Sequence, residues 1–212
     1  MISKIKMCGM TRWEDVNAAA ACGAEFIGFI HSDASKRNIS MEKITRLILK
    51  LKKTYPKIKS VCVVTTEQIE EIDHIVAKTN CDYIQVHNDM DVTEFNKTKS
   101  PGKIKVFRIS EENQPKLLEH YHSDFFLWDT YSSNLSGGTG EKFNWNLIPK
   151  QYLSKSFVAG GVNDKNISEL IKNYHPYAVD VSSSLELRPG IKSKVKIKKL
   201  FNVIKQDHIT GK

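Results

Sequence analysis

No run of apolar residues in this 212-residue chain approaches the length that crosses a bilayer, so a helical membrane protein is not expected. The first residues enter a strand pattern almost at once, which leaves no room for a cleavable leader. Cysteine is scarce: Cys8, Cys22, Cys62 and Cys81 form no C-x-x-C pair and fit neither a zinc module nor a secreted disulfide framework. A reducing cytoplasm and packing roles for Cys22, Cys62 and Cys81 are the economical expectations. No linker, low-complexity segment or break in composition divides the chain, and one domain over residues 1–212 is expected. Acidic residues are the minority, 24 against 32 Lys and Arg, giving a net charge of +8. Nucleic acid is the obvious partner for such an excess. Yet the lysines cluster in Lys43–Lys59 and Lys192–Lys205, and no aromatics interleave them as base stacking requires. They alternate with Ile44, Leu47, Ile48 and Leu51, and with Ile197, Leu200, Phe201 and Ile204, so they read as solvated faces of surface helices. A mild positive field suits an anionic metabolite equally well.

What is present is an alternation. Strand patterns at Lys4–Met7, Phe26–Ile30, Lys59–Val64, Tyr83–Val86, Lys103–Ile109, Phe125–Trp128, Phe157–Ala159 and Tyr177–Val181 are separated by helical ones. Thr11 with Glu14 reads as a capping box for the first helix, which Gly23 stops. Ser40, then Thr65 with Gln68, and Asn163 are expected to cap later helices. Weaker helical patterns cover Val92–Phe95, Pro115–Tyr121 and Trp145–Tyr152. Eight βα units in this length predict an α/β fold, a closed (β/α)8 or TIM barrel. The rival is an open doubly wound sheet, but no G-x-G-x-x-G follows the first strand.

In such a barrel the site lies at the C-terminal ends of the strands. Those positions carry Cys8, His31, His87, Arg108, Asp129, Gly160 with Gly161, and Ser182 with Ser183. Phe125 to Trp128 suits a strand covered on both faces, and Asp129 stands where it runs out, ahead of Gly137, Gly138, Thr139 and Gly140. A carboxylate held there beside a glycine loop suits catalysis, and also an ordinary turn. Gly160, Gly161, Ser182 and Ser183 follow strands seven and eight, where small residues let backbone amides reach a phosphate; two tight turns are the plainer alternative. His31, His87, Asp129 and Asp180 fall on even-numbered strands, so a divalent metal, as in metal-dependent sugar-phosphate epimerases, is a competing reading. His31, however, heads a polar loop, and no pair has i, i+4 spacing.

Taken together, Lys6 to Thr11, Ser35-Lys36-Arg37, Gln85-Val86-His87, Asp129 with Gly137 to Gly140, Phe143 to Trp145, Ala159-Gly160-Gly161, Ala178 to Ser183 and Pro189 to Lys192 form an ordered series. Along nearly its whole length the chain resembles the phosphoribosylanthranilate isomerases of tryptophan biosynthesis. The resemblance implies a cofactor-free Amadori rearrangement of a phosphorylated aminosugar, by a monomer or homodimer. It implies that Asp129 is the general acid for the ring oxygen and Cys8 the general base at ribose C2. An acid for this step must stay partly protonated near neutral pH, which apolar surroundings encourage, and the cysteine must be partly thiolate, which a nearby cation encourages. Arg37 would grip the anthranilate carboxylate. Gln85, His87, Gly138 and Asp180 are the other expected substrate-binding residues, with His87 a hydrogen-bonding group and not a catalyst. The chain departs from the family at Lys36, where Pro is usual, and at Asn88 and Ser184, where Gly is usual.

Overall fold

The structure, a computed structural model, describes residues 3–116, 118–130 and 144–210. The expected glycine loop, including Gly138, and Phe143 lie outside the described residues. Eight strands close a parallel barrel: β1 (Lys4–Met7), β2 (Phe26–His31), β3 (Lys59–Val64), β4 (Tyr83–Val86), β5 (Lys103–Ile109), β6 (Phe125–Thr130), β7 (Ser156–Val158) and β8 (Ala178–Val181). Each pairs with the next, and β8 returns to β1 in a register that sets Asp180 beside Lys6.

Strand periodicity divides the apolar residues between two cores. One set points into the barrel: Phe26, Val61, Val63, Ile104, Val106, Leu127, Phe157 and Ala178. The other faces outward under the helices, with Met7, Ile27, Phe29, Val64, Ile84 and Trp128 packed against helical Val16, Ile44, Ile72 and Leu200. The N-terminal end of the barrel is filled by rings. Phe26 meets Phe157 edge to face at 5.1 Å, and Phe125 stacks on Tyr177 at 4.3 Å, with Tyr83 5.8 Å from Phe125. The polar ends of the same inward rows lie at the opposite mouth.

The helices are α1 (Trp13–Cys22), α2 (Met41–Thr54), α3 (Ile69–Thr79), α4 (Val92–Lys97), α5 (Ile167–Tyr174) and α6 (Lys194–Thr210). In α2 the expected apolar stripe is buried, and Ser40 caps its first turn by accepting from the Lys43 amide. Elsewhere the caps differ from the sequence pattern. Thr11 does not cap α1; its hydroxyl donates to the Gly190 carbonyl, and Arg12 occupies the cap position, paired with Asp15. Gln68 starts α3 without a side-chain cap, while Thr66 accepts from its amide. Asn163 lies in the turn before α5, where its side chain accepts from the Lys165 amide, and the helix starts after Asn166.

Two expected helices are not α-helices. Among the described residues a 3₁₀ turn, Leu118–His120, stands where a helix over Pro115–Tyr121 was expected. Upstream of it, Ser110, Asn113 and Gln114 bond locally and compete with the helix for backbone groups. Residues 145–155 form two 3₁₀ turns, Trp145–Leu147 and Lys150–Lys155, separated at Pro149, which has no amide to continue a helix. After β8 a 3₁₀ turn (Ser183–Leu185) leads into a hairpin of β9 (Glu186–Arg188) and β10 (Ile191–Lys192). Lys192, read from sequence as part of a solvated run, is buried there. Its ammonium donates to Glu186 at 2.9 Å and to the Ser182 carbonyl at 3.0 Å.

Candidate active site

The inward rows of β4, β5, β6 and β8 lead to polar residues, and the strand ends meet around a cavity of about 150 Å³. Cys8, Arg37, Gln85, His87, Asp129, Gly160, Gly161, Asp180, Ser182 and Ser183 all line it, joined by Arg108, Thr65 and Thr130. Every residue expected to act on or bind the substrate, among the described ones, thus reaches one cavity. His31 does not: it points to the outer side of β2, with Nδ1 3.0 Å from the Ile39 carbonyl. No group of three metal-binding side chains occurs among the described residues.

Cys8 follows β1, its amide bonded to the Val181 carbonyl of β8. Gly28 faces it across β2, and a Cβ there would come within 2.7 Å of the Cys8 sulfur, so glycine makes the room the thiol occupies. Burial pushes the Cys8 thiol above its ordinary value of 9.0; the Lys6 ammonium pulls it back and Asp180 pushes it further. A cation does stand by the sulfur, as the expectation of a partly thiolate cysteine required, but burial outweighs it.

Asp129 retains 19% of its side-chain exposure, directed into the cavity. Burial raises its pKa from 3.8 to about 6, with Asp180 adding to the rise, while the Thr130 amide (2.8 Å) and Arg108 restrain it. His87 is lowered to about 4 by burial and by Arg108, so its ring is neutral near pH 7. His87 Nε2 lies 3.9 Å from Asp129, beyond hydrogen-bond reach.

Below them Lys6 and Asp180 form a buried ion pair of 2.7 Å. One oxygen of Asp180, the amide oxygen of Gln85 and Nε2 of His87 are buried with no partner among the described residues. Buried polar atoms are seldom left so. All three belong to side chains that line the cavity.

On the side of strands seven and eight, Gly160 and Gly161 have φ of 75° and 66°, a conformation that opens successive amides and disfavours any side chain. A Cβ on Gly160 would also strike Thr130. Ser182 lies opposite, its hydroxyl donating to the Cys8 carbonyl. Ser184, where the sequence departs from glycine, donates to the Val162 carbonyl at 2.7 Å and ties the two loops together. Its hydroxyl therefore fastens the turn and does not occupy the cavity.

Arg37 is held by a residue that sequence reasoning did not single out. Its Nε and one terminal nitrogen donate to the two oxygens of Glu186 at 2.8 and 2.7 Å. Lys6, Glu186 and Lys192 all went unmarked. Lys6 and Lys192 sit inside matched motifs, and Lys6 lies two residues before Cys8 on the same inward row, which is the signal that was available for it.

Residues 5–203 match the family N-(5'-phosphoribosyl)anthranilate (PRA) isomerase. N-(5'-phosphoribosyl)anthranilate isomerase of Aquifex aeolicus is 36% identical over 206 residues, covering 96% of this chain and 99% of that one. The crystal structure of phosphoribosyl anthranilate isomerase from Thermotoga maritima superposes with a TM-score of 0.85 at 29% identity, covering 97% of this chain and all of that one. A crystal structure of the isomerase in complex with reduced 1-(o-carboxyphenylamino)-1-deoxyribulose 5-phosphate has a TM-score of 0.81 at 28% identity, over 97% of this chain and all of that one. With a barrel, a mouth and a run of relatives that agree end to end, the chain belongs to the phosphoribosylanthranilate isomerase family.

Proposed function

We propose that the protein converts N-(5-phosphoribosyl)anthranilate into 1-(2-carboxyphenylamino)-1-deoxyribulose 5-phosphate, an Amadori rearrangement in tryptophan biosynthesis. It works without a cofactor, in the cytoplasm, as a monomer or homodimer. One observation carries the reading: Cys8 and an Asp129 carboxyl that titrates near 6 face one cavity, beside two glycines with positive φ. Asp129 gives its proton to the ribose ring oxygen, the C1–O bond breaks, and the nitrogen lone pair forms the iminium. The Cys8 thiolate then takes the proton from C2, and the resulting enolamine tautomerises to the ketose. His87, Gln85 and Asp180 offer partners to the sugar hydroxyls, and the amides around Gly160, Gly161, Ser182 and Ser183 hold the phosphate. Lys6 holds Asp180 and favours the Cys8 thiolate.

The acid has the lower pKa of the two, so in the free enzyme the working form is a minority. Its fraction stays constant between the two values, because each proton Asp129 loses is matched by thiolate gained at Cys8. Purified protein should quench the fluorescence of the anthranilate substrate, with kcat/KM falling below about pH 6 and level into the alkaline range. Absence of any decay overturns the assignment; a kcat/KM that drops steadily above pH 6 overturns the roles of the two residues.

A further inference from the structure

We propose that Glu186, which does not line the cavity, is a positioning residue that makes the enzyme selective for an aromatic amine bearing a carboxylate. The inference rests on the reading of Arg37 as the partner of that carboxylate. A guanidinium has five N–H bonds arranged on two usable edges. Glu186 takes one edge, through Nε and one terminal nitrogen, in a two-bond contact. The other edge, formed by the two terminal nitrogens, is left for a second carboxylate, and Arg37 lines the cavity.

Glu186 is itself fixed on every side. Its Oε1 also accepts from the Lys192 ammonium at 2.9 Å and from the Gly190 amide at 3.1 Å. Its carbonyl accepts from Lys196 at 2.7 Å. Gly190 is in turn anchored to Thr11, the residue whose hydroxyl is diverted from capping α1. Of the three charged groups, Arg37 lines the cavity while Glu186 and Lys192 stand behind it. Without Glu186 the long Arg37 side chain regains its rotamers, and ordering them again falls to the substrate.

The test compares two glycosylamines of ribose 5-phosphate, one from anthranilate and one from aniline, which lacks the carboxylate. The readout is the ratio of kcat/KM for the two. Folded fraction, phosphate binding and the proton transfers enter both values and cancel in the ratio, so damage that is merely structural does not move it. The parent should prefer the anthranilate compound by about 10², as a two-bond charged contact implies. Glu186→Gln keeps the shape but removes the charge and one acceptor. Its preference should fall to within about fivefold, with most of the change in KM for the anthranilate compound. Glu186→Asp, which retracts the carboxylate by one methylene, should fall between the two and serves if the glutamine variant does not fold. An undiminished preference in Glu186→Gln or Glu186→Asp overturns the role of Glu186 and leaves that of Arg37 standing. A parent with no preference overturns both.

Discussion

At the scale of single residues, the proposed chemistry depends on a carboxyl kept out of its comfortable range. Asp129 titrates near 6 in the folded chain against 3.8 ordinarily. Between those values the folded state binds more protons than the unfolded one, so stability present below about pH 4 is lost as pH rises through 6. The loss amounts to roughly 3 kcal/mol. Asp129→Asn should therefore lower the turnover number by about 10²–10⁴. It should also raise Tm at pH 8 by several degrees, with no gain at pH 4. Cys8→Ser, a weaker base of similar shape, should lose turnover at nearly unchanged KM. Turnover close to the parent in either variant removes that residue from the catalytic pair, and a Tm gain independent of pH removes the burial argument. Of these residues, Asp129 and Cys8 were legible because they end strands beside recognisable motifs. Glu186 was not: its meaning comes from Arg37, 149 positions earlier, and only the closed barrel brings them together. Lys192 was also unreadable, since nothing in the spacing of a lysine-rich run announces which lysine will be buried.

At the scale of elements, β1, β3, β4 and β5 fall where the apolar runs placed them, because a strand inside a barrel is buried on both faces and its sequence says so. The misjudged elements are short ones whose backbone is captured by polar side chains or interrupted by proline, as at 110–120 and 145–155. Turns proposed to bind are more exacting. Replacing Gly161 with a bulky residue sets a side chain at φ of 66° among the amides proposed for phosphate. KM should rise at least tenfold while a folded protein remains. Unchanged KM in a folded variant places the phosphate elsewhere.

At the scale of the whole molecule, the mouth carries the polar groups and the far end carries the rings. Among the described residues no helix is long and apolar enough to cross a membrane, and the proposed chemistry requires only acid and base. Prolonged chelation should accordingly leave the rate unchanged; a large loss restored by a divalent metal would bring His87, Asp129 and Asp180 into a different mechanism. The aromatic floor of Phe26, Tyr83, Phe125, Phe157 and Tyr177 has a consequence for traffic. Among the described residues these rings fill the far end of the well. A ligand that enters by the mouth therefore leaves by it too, so arrival and departure share one doorway, and a lingering product bars the next guest.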